Sequence, residues 1–115
     1  MARTALTVQT VITSGTGLAP SYATVDNANG NYFTWPGGRV FLHVKNTNAA
    51  TRTLTIGAPQ TIDGLAMTDP TYTIAATTGD HMIGPLSDKL VQTNGQVYLD
   101  WSAATNTSVA VITVP

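Results

Sequence analysis

Apolar and polar residues alternate with a period of two along most of the chain, which is the pattern of half-buried β-strands. The alternation is clearest from Val40 to Lys45, where Val40, Leu42 and Val44 share one face. The same pattern predicts strands over residues 6–12, 32–35, 71–75, 95–101 and 108–114, an interrupted strand at Ile62–Met67, and a strand broken by Gly84-Pro85 at His81–Leu86. Turn signals recur roughly every 8–12 residues. The chain is therefore predicted to be all-β, a two-sheet antiparallel sandwich of about eight strands with jelly-roll or immunoglobulin-like topology.

Two strands near the middle of the chain are predicted to form an antiparallel hairpin. After the strand at 40–45, the run Asn46–Ala50 has the length of a hairpin loop. Arg52, Leu54 and Ile56 then share one face of a second strand, with threonines between them.

The first strand allows two interpretations. Its apolar face is separated by Thr and Gln, and it ends at the Gly-rich residues 14–17. An ordinary strand inside the domain is the favoured interpretation, and an arm at residues 1–13 that reaches another subunit is the alternative. Such an arm would add as a strand to a partner's sheet edge. The predicted contacts to a subunit or a capsid are Leu6, Val8, Gln9 and Thr10.

Length and charge limit the possible partners. The 115 residues suffice for one core, so residues 1–115 are predicted to be a single domain. Five Lys and Arg residues and a net charge of −1 do not supply the basic surface that nucleic acid or an anionic membrane requires.

No apolar run approaches the length of a membrane-spanning helix, and the N-terminus lacks the apolar stretch of a signal peptide. Together with the absence of cysteine, this predicts a protein made in the cytoplasm.

No combination of residues points to catalysis or to a cofactor. The chain has two histidines, no cysteine and no G-x-S-x-G sequence, so an imagined Asp80–His81 pair has no nucleophile to activate. His43 is expected on an outward or inter-sheet face. There is no glutamate, and the aspartates near turns are expected to be solvated: Asp63, Asp69, Asp80, Asp88 and Asp100. The chain is therefore not expected to be an enzyme.

A metal site is not expected either. Histidine and cysteine ligand motifs are missing, which disfavours zinc. The run Asp26–Asn31 has oxygen ligands and a glycine, but it lacks the acidic density of a calcium loop. A turn stabilised by Asx side chains is the better interpretation.

Aromatic residues suggest a carbohydrate-binding module as one alternative, because their faces can stack on sugar rings. Tyr98 and Trp101 fall on opposite faces of one strand, so at least one is expected in the core or an interface. Trp35, next to Pro36, is the residue expected to be exposed. The remaining candidates for such a platform are Tyr32, Phe33 and Tyr72.

The low charge favours a protein that packs permanently on other chains. Charged residues make up 10% of the sequence, against a usual figure of roughly 25%. About a fifth of the chain is threonine, which makes a strand polar without charge. Joining an assembly would also cover the edge strands of a sandwich.

Four stretches and the valine-rich C-terminus resemble the head decoration proteins of tailed bacteriophages. The stretches are 2–9, 39–46, 81–85 and 95–101. The resemblance implies a β-sandwich on the outer capsid of the virion that binds the major capsid protein, often as a homotrimer, and strengthens the shell. It carries over no catalytic or binding residue. A head–tail connector or tail-associated protein is the alternative within the particle.

Overall fold

The computed structural model describes residues 3–12, 15, 17–37, 39–57, 61–62, 65–66, 69–86, 88–92 and 94–114. The strands within these residues are β1 Thr4–Ala5, β2 Val8–Thr10, β3 Ala23–Thr24, β4 Asn31–Thr34, β5 Arg39–Asn46, β6 Arg52–Ile56, β7 Thr61–Ile62, β8 Leu65–Ala66, β9 Thr71–Ile74, β10 Gly79–Ile83, β11 Gln96–Trp101 and β12 Thr107–Val114. A short 3-10 turn covers Asp88–Leu90.

Ten of these strands form two sheets. Sheet A has the order β1-β4-β11-β6-β9, and sheet B has the order β10-β5-β12 with β2 and β3 sharing the far edge of β12. β7 and β8 form a separate two-stranded ribbon, where the interrupted strand was predicted. Its predicted end at Met67 lies outside the described residues.

Eight of these strands have the order of a jelly roll. Numbered one to eight along the chain, β3, β4, β5, β6, β9, β10, β11 and β12 form one sheet in the order 1-8-3-6 and the other in the order 2-7-4-5. Every pairing among them is antiparallel. This confirms the predicted sandwich and selects the jelly roll of the two topologies left open by the sequence.

The predicted hairpin of the middle strands is wrong. β5 pairs with β10 and β12 in sheet B, whereas β6 pairs with β11 and β9 in sheet A. Alternation identifies the buried face of a strand, and that face is the same whether the next strand lies beside it or across the core. The buried Asn46 side chain fixes the crossing by donating to the carbonyls of Ala50 at 3.0 Å and Ala75 at 3.1 Å.

The core lies between the two sheets and follows the predicted alternation. Sheet A contributes the inward residues of β4, β6, β9 and β11, and sheet B those of β5, β10 and β12. The most buried large side chains are Phe33, Leu42, Leu54, Ile56, Ile74, Leu99, Val40, Val44, Val97, Val109 and Val111. Full burial of one such side chain stabilises the fold by about 1.5–3 kcal/mol.

The N-terminal segment crosses from one sheet to the other. β1 runs parallel to β4 and β2 runs parallel to β12, so the chain changes sheets at Leu6 and Thr7. Of the strand predicted at 6–12, only β2 is a strand, and β1 lies before the predicted range. The apolar face of the predicted strand is buried at Leu6 and becomes exposed at Ile12, because Ile12 lies past the last paired residue of β2.

Candidate functional site

The four predicted contact residues of the first strand are used mainly inside the domain. Leu6 is buried in the core, and its N–H donates to the carbonyl of Tyr32 at 2.8 Å. Val8 is partly buried against the same core. Gln9 bonds to a neighbouring segment, and only Thr10 is exposed. The alternating apolar residues that suggested a free arm pack instead on the core of their own domain.

The side-chain amide of Gln9 makes the two hydrogen bonds to Ser21 that the backbone of a paired strand residue would make. The amide donates to the Ser21 carbonyl at 2.8 Å and accepts from the Ser21 N–H at 2.8 Å. This pair joins β2 to the segment before β3, where β12 passes from one partner strand to the other. A pocket of about 400 Å³ opens there, lined by Ala5, Leu6, Thr7, Gln9, Ser21, Tyr22, Ala23, Val109, Ala110 and Val111. Its lining is uncharged and holds no nucleophile–base pair.

A polar cluster lies on the outer face of sheet B. His43 Nε2 is paired with Asp80 Oδ1, and His43 Nδ1 lies 2.5 Å from the Tyr22 hydroxyl. The Lys45 ammonium lies 4.3 Å from the centre of the Tyr22 ring. Both imidazole nitrogens therefore have partners within the chain, a hydroxyl on one side and a carboxylate on the other.

The Asp–His pair in this cluster differs from the one that the sequence suggested. Asp80 pairs with His43 diagonally across β10 and β5, since both lie on the outer face of sheet B and Asp80 is two residues from Met82, the residue opposite His43. The neighbouring His81 points to the opposite side of β10. His81 Nε2 accepts from the Ala75 N–H at 3.2 Å. The hydrogen bond with His43 lowers the pKa of Asp80, against a smaller opposing effect of desolvation.

Two further acidic groups, Asp26 and Asp100, make structural contacts. Asp26 accepts from the Asn29 N–H at 3.1 Å and from the Thr4 hydroxyl at 2.6 Å, which confirms the predicted Asx turn. The Thr4 hydroxyl is the main cause of the lowered pKa of Asp26. Asp100 forms an ion pair of 2.8 Å with Arg3. Among the described residues, no group of three His, Asp, Glu or Cys side chains could hold a metal ion; Asp63 lies outside them.

The aromatic residues do not form one platform. Trp101 is buried. Trp35, which was expected to be exposed, is partly buried against the core, because it continues the inward face of β4 on which Asn31 and Phe33 are buried. The backbone N–H of Trp35 donates to the Gly95 carbonyl at 2.9 Å. Tyr98 lies on the outer face of sheet A, where the Arg3 guanidinium covers its ring at 4.3 Å.

One side of the sandwich has two open strand edges. Next to β9, the N–H of Ile56 donates to the Pro70 carbonyl at 3.0 Å. The backbone N–H and C=O groups of the even-numbered residues of this segment therefore point toward β6. The N–H and C=O groups of Thr71 and Thr73 therefore point away from the sheet. No described strand pairs with this edge.

The edge of β10 is open in the same way. The N–H of Leu86 donates to the Val40 carbonyl at 2.8 Å, so the backbone N–H and C=O groups of the even-numbered residues of β5 point toward β10. Their partners in register are the odd-numbered residues of β10. Asp80 and Met82 therefore direct their N–H and C=O groups to the open edge. A groove of about 430 Å³ separates the two edges and is lined by residues 71–74 and 81–84.

The sequence did not indicate this open side or the Gln9–Ser21 pair. The Gly-Pro break at 84–85 correctly suggested an edge or corner at β10. The orientation of the edge groups, however, depends on which strands pair, and alternation does not specify that.

Comparison with protein-family models, with curated proteins and with solved structures finds no match to this chain. In the part of the chain that the structure describes, no helix is long and apolar enough to cross a membrane.

Proposed function

We propose that this chain is a structural protein of a tailed-bacteriophage particle that decorates the capsid and stabilises the shell by binding the major capsid protein. The open side between β9 and β10 is the observation that carries the proposal. Two strand edges that present unpaired backbone groups suit an extended segment of another chain, which would add to them as a further strand. The low charge of the chain and its resemblance to decoration proteins support the same function.

The N-terminal strand is not the proposed donor. The sequence suggested that this strand adds to an edge of the capsid protein, but Leu6 and the β1 and β2 pairings hold it in its own domain. The proposal therefore reverses the direction: this chain supplies the edge, and the capsid protein supplies the strand. Many symmetric copies that bind only the assembled shell would stabilise it by mass action.

Binding to purified shells that lack the decoration protein tests this function. We expect the chain to bind them in a saturable manner and to raise their melting temperature. Thr73→Pro removes an edge N–H that makes no bond to β6, and proline is tolerated at such edge positions. We expect this variant to bind at least about tenfold more weakly, because an interface hydrogen bond is lost and its partner is left unpaired.

Thr73→Val is the matched control, because it changes the same side chain and keeps the backbone N–H. We expect it to bind like the unmodified chain, and both variants to melt within a few degrees of it. Failure of the unmodified chain to bind shells would contradict the proposed function. Equal binding by the proline and valine variants would contradict the edge as its site.

No specific observation favours the two alternatives. A carbohydrate-binding module would need an aromatic platform, and the described tryptophans pack in or against the core. A head–tail connector would form a ring in isolation, which sedimentation would detect. The trimeric state implied by the resemblance stays a prediction.

A further inference from the structure

The groove between the two open edges is closed at one end. β9 and β10 follow each other along the chain, and residues 75–78 carry the chain from sheet A to sheet B. Gly79, at the start of β10, lies so near this connection that an added Cβ would clash with the Ala75 carbonyl oxygen. The two edges therefore converge next to Ala75, whereas the groove lies along residues 71–74 and 81–84.

Side chains from sheet B occupy the backbone groups of Ala75. Since the direction of these groups alternates along a strand, Ala75 is the next residue after Thr71 and Thr73 whose N–H and C=O point away from β6. The Ala75 N–H donates to His81 Nε2 at 3.2 Å, and its carbonyl accepts from the Asn46 amide at 3.1 Å. Among the described residues, no group bonds in this way to the edge groups of Thr71 or Thr73.

His81 lies where an added strand would continue. In a pair of strands, the N–H of an edge residue donates to a carbonyl of its neighbour. His81 Nε2 already accepts the N–H of Ala75, so a strand that paired beyond Thr73 would have to displace the imidazole. The buried Asn46 holds the Ala75 carbonyl in place as well. The open part of this edge therefore consists of the N–H and C=O groups of Thr71 and Thr73.

The groove beside these groups selects the side chain that a partner can place in it. Paired residues of neighbouring strands direct their side chains to the same face, so the partner residue opposite Tyr72 points inward. Tyr72 packs against the core, and Ile74 and Ile83, which also line the groove, are buried. A charge placed there would lose its hydration, so an apolar side chain fits best. The two neighbouring partner residues point outward, beside exposed threonines.

We propose that the capsid segment that adds to β9 is short, with the pattern polar–apolar–polar opposite residues 71–73, and that His81 ends its pairing. His81 is then a specificity-determining residue, because it sets how far a partner strand can extend along the edge. Because it concerns the capsid segment, this proposal rests on the proposed function.

Amide hydrogen exchange of the free chain tests the role of His81. His81→Ala removes the acceptor of the Ala75 N–H, so this amide should exchange at least about tenfold faster than in the unmodified chain. His81→Gln is the matched control, because its side-chain oxygen can accept the same N–H. We expect it to keep the protection of Ala75, and both variants to melt within a few degrees of the unmodified chain.

Exchange in the complex with purified shells that lack the decoration protein tests the extent of pairing. In the unmodified chain and in His81→Gln, we expect binding to slow the Thr71 and Thr73 amides at least about tenfold, because they enter hydrogen bonds. A short capsid segment with an apolar central residue should become protected as well. In His81→Ala, we expect binding to protect the Ala75 amide too, and the protected capsid segment to be longer at one end.

The outcomes separate this proposal from the proposed function. A chain that does not bind shells would contradict both. A chain that binds shells would overturn the present proposal alone if the Thr71 and Thr73 amides stay unprotected, or if the protected capsid segment is centred on a charged residue. Equal exchange of Ala75 in the alanine and glutamine variants would do the same, as would a capsid segment of equal length with His81→Ala and with the unmodified chain.

Discussion

Asn31 Oδ1 accepts a hydrogen bond of 2.9 Å from the indole N–H of Trp101, although the two residues are 70 positions apart. The same oxygen accepts from the Asp26 N–H at 2.9 Å, and the Asn31 amide donates to the Thr4 carbonyl at 3.2 Å. Asn31 is fully buried. One amide thus links the first strand, the Asx turn and the end of β11.

Replacement of Asn31 by leucine should destabilise the fold by about 2–4 kcal/mol, because it leaves several buried polar groups without partners. Urea unfolding measures this change. Asn27→Ala, at an exposed position in the same turn, should cost less than about 0.5 kcal/mol. Equal effects of the two variants would show that the hydrogen bonds of the buried Asn31 amide do not contribute specially to stability.

The His43–Asp80 pair should make stability depend on acid. The hydrogen bond with His43 lowers the pKa of Asp80 below its ordinary value of 3.8. A carboxyl group whose pKa is lower in the folded state stabilises the fold above its unfolded pKa, and this contribution disappears as pH falls through the folded value. We therefore expect the stability supplied by Asp80 to be present at pH 6 and to be lost in the range below 3.8.

Unfolding of the unmodified chain and of Asp80→Asn at several pH values measures this effect. The variant should be less stable than the unmodified chain at pH 6, and the difference should shrink as the solution is acidified below pH 4. A difference that does not change with pH would mean that Asp80 acts through its shape and not its charge.

The Gln9–Ser21 pair should be visible in amide hydrogen exchange. Gln9→Ala removes the acceptor of the Ser21 N–H, so this amide should exchange faster. Gln9→Glu keeps an acceptor oxygen at that position but loses the donor to the Ser21 carbonyl. We expect protection of the Ser21 amide to be retained in the glutamate variant and lost in the alanine variant. Equal exchange in both would indicate that the segment before β3 is held by other contacts.

The sequence predicted the buried faces of the strands well, because burial imposes a period of two. Val40, Leu42 and Val44 were assigned to one inward face, and all three are fully buried. The partners of each strand could not be obtained in this way. β5 and β6 have the same alternation whether they pair or face each other across the core, which is why the predicted hairpin was wrong.

The candidate site was harder to predict than the fold. Met82 was recognised only as part of a broken strand, and its exposure became evident once the register placed it opposite His43 on the outer face. Trp35 was expected to be exposed because it precedes Pro36, yet proximity to a turn does not prevent an aromatic side chain from packing on the core. Leu6 was taken as a contact residue, and the change of sheets at this position brings it into the core.

The crossing of the N-terminal segment between the sheets has a consequence for the order of folding. Val8 of β2 pairs with Val111 of β12, more than a hundred positions later. β12 is also the strand that joins β5 to β2 and β3. During synthesis, sheet B therefore lacks one of its two inner strands until β12 leaves the ribosome. Until then, β2 and β3 have no strand with which to pair. Such long-range closure is intrinsically slow, so this chain should complete its fold only after β12 has been translated.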